Sequence, residues 1–511
     1  MKEISPNVID LLINVMSQLP AQTRNVLLLA SCIGNRFTSD LLSIVNQKDL
    51  SATVMDLWDG LAAKLVIPLD SNYKVPMAFF EEHLESIDEH LQLADSAMDG
   101  NDEMHHCSPS MMNTIDESVR SKHILYRLTL DSETTRISKE PIVIHFKFLH
   151  DRVQQAAYSL IPEKDRHQTH LQIGRLMLQY ADNQAQNEES VMSDEELFNR
   201  SRQGFFQLTS YLDRNIFNIT NQLNAGSDLL KKQPDNGDEI RRLISLNLRA
   251  GLIAQQATAY DASVKYFRHA IDLLDDSSWE TNYSTTYFVH FGLADALYHA
   301  TAFKEALHWF TTALNQCRFA KDKAQIYHGL LKCHMGDGQT SESIDCVLEG
   351  LQILGYELPS TPESMESYCA TISHRIESMN VREIRSMANL TLTKDVLHSA
   401  TIRILVSSIP PVYFSRPELL PYIILTGLNA TLDNKVVSEV TYIYTLYGLL
   451  TIGTAMNKFT SPEALANVIV IAYEWGKLAV TSLEKYERTL VKCATLKVYA
   501  SHVQCWNEPL A

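Results

Sequence analysis

The stretch Phe146-Lys-Phe-Leu-His-Asp-Arg-Val-Gln-Gln-Ala-Ala-Tyr158 divides the chain into two kinds of sequence. Into it run Ile142, Ile144, Phe146 and Phe148, alternating with Val143, His145 and Lys147, the period of a strand with one buried face. At Leu149 the period lengthens. Leu149, Val153, Ala156, Ala157 and Leu160 follow helical spacing until Pro162 ends the run. His150, Asp151 and Arg152 therefore stand at a strand-to-helix joint, with Asp151 near the positive end of the new helix.

Upstream, Ser5-Pro6 is the cap and first-turn proline of a helix whose apolar face is Val8, Leu11, Leu12, Val15 and Leu19. Pro20 opens a second helix, stopped at Gly34. Thr38 or Ser39 caps a third, and Ser51 caps a fourth, "LSATVMDLWDGLAAKLV". A short strand over 65–69 pairs with 142–148. Helices followed by a β-hairpin predict a winged-helix-like domain over 1–182, interrupted by an insertion over about 81–140, acid-rich over Glu81 to Glu103, that reads mostly as a mobile loop. "HILYRLTL" from His123 could add a strand there. His105, His106 and Cys107 in that loop are adjacent and lack a second ligand pair at a recognised spacing, so no metal site is expected.

Downstream, from 190 to 511, the sequence reads as a TPR-like α-solenoid of antiparallel helix pairs, giving a mainly α fold class overall. Small residues at the pair contacts are Gly251, Ser263 and Ala270, then Ala294, Ala306 and Ala313, then Ser343 and Gly350. Aromatic residues between them are Tyr260 and Phe267, Phe303 and Phe310, and Tyr327. Leu331 and His334 depart from the pattern. Ser263, Ala306 and Ser343 hold equivalent places and are spaced more widely than the regular repeat of about 34 residues. A fourth pair over Tyr444, Gly448, Ala472, Gly476 and Ala479 fits with about a dozen residues inserted around Phe459 to Pro462. Pro410-Pro411, Pro417 and Pro421 punctuate the helices before it. No capping helix follows Trp506, so the arm is expected to be incomplete at its C-terminus and the chain a fragment.

"HDRVQQAAY" after Phe148, with Arg166, His170 and Gly174 in "RHQTHLQIGRLM", resembles the STAND-type ATPases inside multidomain sensor histidine kinases of fungi and bacteria. "LNLRAGLIAQQATAYDASVKYFRHAIDLL" from Leu246, "VYFSRPELLPYIIL" from Val412 and "HVQCWNEPL" from His502 extend the resemblance over nearly the whole chain. It implies a winged helix and tetratricopeptide-like arm lying after a nucleotide-binding domain, with ATP held in that upstream domain. It also implies a phosphorelay role and partners that are proteins or neighbouring domains of the same polypeptide. In such ATPases a winged-helix histidine can touch the nucleotide phosphate, and no motif maps that histidine onto His150.

The chain's net charge of −17 argues against a broad basic face for nucleic acid or an anionic membrane. The fourth helix, the one that would read DNA, offers Asp56, Asp59 and Lys64 beside Trp58, two acids where cations are needed. The eight cysteines show no CxxC pair and read as reduced. Met1-Lys-Glu-Ile-Ser-Pro is no signal peptide, and the apolar stretches near Ile423 and Val468 are broken before membrane-spanning length, so a cytoplasmic chain without membrane insertion is expected.

No G-x-x-x-x-G-K-[ST] loop, kinase loop or histidine-kinase nucleotide box occurs; "GNRFTSD" and "GDGQTSES" lack the lysine. No catalytic residue or bound cofactor is therefore expected in this chain. His150 and Asp151 should hold the joint through nearby backbone groups, and Arg152 should pair with Asp165 or Glu163. Three roles follow: a non-catalytic regulatory segment of a signalling kinase, a stand-alone scaffold for a peptide or protein, or a DNA-binding regulator.

Overall fold

The computed structural model describes residues 7–70, 143–185, 192–203, 210–233, 236–356, 359, 361–432, 435–458, 461–486 and 491–507. Ser5, Pro6 and the 81–140 insertion with His105, His106 and Cys107 lie outside them. The fold is mainly helical with one small sheet. It divides into two compact units, 1–189 with 210–234, and 190–209 with 235–511. Residues 210–234, read from the sequence as arm, thus belong with the first unit.

In the first unit, α1 (Asn7–Ser17) and α2 (Ala21–Ile33) lead into strand β1 (Arg36–Thr38), then α3 (Ser39–Asn46). The single fourth helix is instead two pieces, α4 (Leu50–Asp56) and α5 (Trp58–Ala62), and the cap is Asp49, whose carboxylate accepts from Ala52 N at 2.7 Å. Strand β2 (Val66–Pro68) and strand β3 (His145–Phe148) follow. The expected hairpin has a third member: the order is β1-β3-β2, antiparallel throughout, with Phe37 opposite Phe146 and Val66 opposite Phe148. Three residues are too few to display a period, which hid β1 in the sequence. Ile144, Phe146 and Phe148 enter a core with Val26, Leu27, Leu42, Val54 and Val153. Then come α6 (Asp151–Ser159) and α7 (Glu163–Ala185), and, after the excursion of 190–209, α9 (Tyr211–Ala225) and α10 (Ser227–Lys232) against α7.

The second unit begins with α8 (Asp194–Gln203) and continues as three consecutive antiparallel pairs. These are α11 (Gly237–Gln256) with α12 (Tyr260–Leu273), α14 (Tyr283–His299) with α15 (Phe303–Gln316), and α16 (Ala320–Gly336) with α17 (Thr340–Ile353). The short α13 (Ser278–Thr281) joins the first two. Each pair turns in the same way. Thr258, Thr301 and Gly338 adopt φ of 59°, 62° and 77°. The next amide in each case, of Ala259, Ala302 and Gln339, donates to the carbonyl five residues back, the Schellman closure.

Four further helices follow, α18 (Pro362–Glu377), α20 (Val396–Ser415), α21 (Leu420–Thr431) and α22 (Val440–Asn457), with the short α19 (Val381–Ser386) after α18. Pro410 and Pro411 do not interrupt α20 but lie inside it. Proline's φ fits a helix, and buried Ile409, Pro411 and Val412 on a helix packed against α16 and α17 offset the lost amides. The dozen residues read as an insertion are instead helix length: α22 runs to Asn457, and α23 (Pro462–Lys485) starts at once beyond. A Cβ on Gly448 would lie 2.9 Å from Ala472 O, so these two helices touch by backbone. After α24 (Lys492–Val498), Tyr499 and Val503 tuck against Gly476 and Gly448, covering a pair that the sequence left bare.

Helix α23 is, contrary to the sequence reading, long and apolar enough to cross a membrane by length and composition, the one such helix among the described residues. In this fold it is a packing helix. Trp475 is fully buried against Tyr444 and Tyr447, and Glu474 receives two hydrogen bonds from Arg385, Nε at 2.6 Å and Nη2 at 2.5 Å.

Candidate functional site

The joint is held by short local bonds. Phe148 N donates to Asn35 O at 2.9 Å, and its ring sits 5.5 Å from that of Phe37. His150 is the N-cap of α6, its Nδ1 accepting from Arg152 N at 3.2 Å, and the imidazole is exposed. Asp151 differs from expectation: its carboxylate accepts from the side chain of Asn35, Nδ2 at 2.7 Å, rather than from nearby backbone. Arg152 makes no ion pair with Glu163 or Asp165 among the described residues, because α6 ends at Ser159 and the chain turns before α7 begins.

The rest of the motif is a polar row between helices. Gln154 Nε2 donates to Ser31 O at 3.0 Å. Gln222, buried on α9, donates Nε2 to Cys32 O at 2.6 Å. Its Oε1 must then accept from His170 Nδ1, 2.6 Å away. His170 Nε2 lies 3.0 Å from Tyr158 OH, which continues the row. Burial, then the Cys32 thiol, raises the Tyr158 phenol above its ordinary value against the pull of Arg166, whose guanidinium lies 5.0 Å over the ring. Arg166 Nε is buried without a partner among the described residues. Gly174 lets α7 and α9 approach: a Cβ there would meet Leu223 Cδ2 at 2.6 Å. Phe148, His150, Asp151, Arg166, His170 and Gly174 are thus all placed in contacts that fasten this unit's elements. Asn35 and Gln222, which complete the row, gave no sequence signal because their partners are far along the chain.

In the second unit Gly251, Ser263, Phe267, Ala270, Ala294, Ala306, Phe310 and Ala313 are all buried within the helix pairs. Ser263 Oγ donates to Gly251 O at 2.8 Å. Phe267 fills the space between pairs: a Cβ on Gly251 would lie 2.8 Å from its ring, and one on Gly292 of the next pair 2.5 Å. Phe310 repeats this against Gly329 of the third pair, at 2.4 Å. Likewise Tyr260 stacks on His299 of the next pair at 5.0 Å, and Phe303 lies against Gly336, where a Cβ would be 2.5 Å away. Gly292 and Gly329 were not singled out in the sequence, and their shared offset from the small-residue pattern is the signal that could have found them.

The face formed by α11, α14 and α16 carries α8. Phe198 is buried there, stacked on Phe288 at 4.3 Å with Phe291 edge-on at 5.5 Å. Asp194 accepts from Ser245 Oγ at 2.6 Å, and Arg249 donates to Met192 O at 2.9 Å. Beside α8 opens a cavity of about 930 Å³, bounded by α11, α14 and α16 on one side and by Leu392, Arg403 and Glu439 on another. Asp295 in its wall accepts from Gln255 Nε2 at 2.5 Å and faces Lys332 at 3.5 Å and His299 at 3.8 Å.

"GNRFTSD" is the turn into β1, and "GDGQTSES" is the turn of the third pair. The described cysteines are free, and burial pushes the thiol of Cys32 up to about 11 and those of Cys333 and Cys346 to about 12.

No family model matches the chain. Over an alignment 532 positions long it is 20% identical to hybrid signal transduction histidine kinase G of Dictyostelium discoideum, a match that covers 98% of this chain and 14% of that protein. The likeness links the chain to signal-transduction histidine kinases.

Proposed function

We propose that this chain is a non-catalytic regulatory and protein-interaction segment of a cytoplasmic signalling ATPase–histidine kinase. In this reading the first unit is a winged-helix-like module and the second a TPR-like arm. The observation that carries the reading is the alignment to a hybrid histidine kinase along 98% of the chain. The winged-helix reading is supported by the order helix, strand, three helices (the last two a broken pair), strand, strand with the last strand central. The arm reading is supported by contacts that recur at equivalent places in successive pairs. Nucleotide is held elsewhere in the longer polypeptide, and the arm's face of α11, α14 and α16 engages a neighbouring domain or protein partner. A stand-alone scaffold is the second reading, favoured by the packing of α8 on this face. DNA reading is disfavoured because the candidate helix breaks at Leu57 and its Asp56 is paired with Lys48 at 2.7 Å.

The purified chain should neither hydrolyse ATP nor autophosphorylate. In the longer polypeptide, Ala306→Leu in the arm should change histidine autophosphorylation while nucleotide binding persists. Turnover by the purified chain that survives further purification, or a kinase indifferent to the arm substitution, counts against the proposal.

A further inference from the structure

The cavity beside α8 has a small recess with a charge character opposite to that of the chain. The recess, about 170 Å³, is lined by Lys394, Arg403, His328, Gln325, Asn199 and Ser399, among others, and no carboxylate lines it among the described residues. The chain as a whole carries −17. Lys394 forms no ion pair among the described residues, and Arg403 gives only Nε to Glu439, at 2.8 Å, leaving its terminal nitrogens for another acceptor. Around the corner the large chamber changes character. Leu252, Phe291, Gly292 and Phe198 supply an apolar wall. Of the chamber's two carboxylates, Asp295 is engaged by Gln255 and Lys332, and Glu439 accepts from Arg403 Nε and Ser438 Oγ. A volume of about 930 Å³ lies within the range of small-molecule sites.

We propose that this cavity binds a small organic anion, its carboxylate or phosphate group held by Lys394 and Arg403 in the recess and its apolar body lying on Phe291 and Leu252. Helix α8 completes the site, since Asn199 lines the recess and Phe198 and Ser201 the chamber. Guanidinium and ammonium groups together suit an oxyanion better than a neutral polar ligand. The aromatic and glycine surface beside them suits a flat or alkyl body. This goes beyond the kinase reading, and the binding claim stands whether or not the arm regulates a kinase.

The test is calorimetric titration of the full 511-residue protein with phenyl phosphate, benzoate, inorganic phosphate and neutral benzamide. At least one aryl anion should bind, tighter than inorganic phosphate, with benzamide silent; the ratio of phenyl phosphate to benzoate distinguishes a phosphate from a carboxylate ligand. Lys394→Met, at an exposed and unpaired side chain, should weaken binding at least about tenfold without altering the melt in buffer. Lys477→Met, remote from the lining, should leave binding unchanged. No binding by either aryl anion, affinity for inorganic phosphate equal to that for the aryl anions, or full binding by Lys394→Met overturns the proposal. None of these outcomes bears on ATP turnover or the kinase link.

Discussion

At Thr301 a β-branched residue holds φ 62°, and at the equivalent turn Gly338 holds φ 77°. Left-handed backbone costs an L-residue about 1–2 kcal/mol, while glycine's extra chain entropy costs about 0.5–1 kcal/mol. Both positions are exposed, so substitution there reads the backbone with little else. Thr301→Gly should therefore raise stability by about 0.5–1 kcal/mol and Gly338→Thr lower it by about the same amount, a pair of opposite signs in urea melts. Two losses would refute the strain argument. His150 offers a contrasting case. Its single capping bond is exposed, so His150→Ala should cost under about 1 kcal/mol in thermal melts of the first unit. A larger loss would mean the ring does more than cap.

Helix pairing is where the small residues act. Ala306 is fully buried on α15, whereas His308, two residues on, is exposed. Ala306→Leu should cost about 1–3 kcal/mol by overpacking and His308→Leu under about 0.5 kcal/mol. Limited proteolysis should locate the loosening in the α14–α15 pair, and equal melts for the two variants would show the register to be wrong. The same elements show what can be read from sequence. The period change at Leu149, the 65–69 strand and the three pairs were legible because each rests on spacing within one or two turns. The third strand was too short for any period, and the break at Leu57 within "LSATVMDLWDGLAAKLV" keeps helical spacing on both sides. Pro410-Pro411 read as punctuation because local propensity was overridden by the burial of α20 against α16 and α17. Of the candidate site, the pair contacts were legible, but the α8 docking and the Lys394–Arg403 recess were not. They join residues from segments that share no local pattern.

For the molecule as a whole, acid should loosen the second unit in two stages. Burial lowers the pKa of His290 from its ordinary 6.5, with Thr286 O on Nδ1 opposing, and burial likewise lowers that of His299. The unfolded chain then binds the proton more readily, so the stability these neutral rings confer is present above 6.5 and is lost as pH falls below it. Glu474, held low by the Arg385 hydrogen bonds, adds stability present above 4.5 that is lost as pH falls through its lowered value. Asp322, raised by burial, acts in the opposite sense over the same acid range. Urea midpoints at pH 7.5 and 5.5 should therefore differ, with the less stable state at 5.5, and His290→Gln should reduce the difference. A midpoint that rises toward pH 5.5 would contradict this. The chain's path has a further consequence, for synthesis. Because it leaves the first unit at 190 and returns to it at 210, α8 emerges from the ribosome before the pairs on which it rests. At about 5–20 residues per second, Phe198 waits roughly 5–20 s for Phe291 to be translated. During that interval a polar helix whose two apolar residues, Leu197 and Phe198, are still uncovered is available to chaperones and to neighbouring nascent chains, which gives the order of translation a share in which surface the finished arm covers.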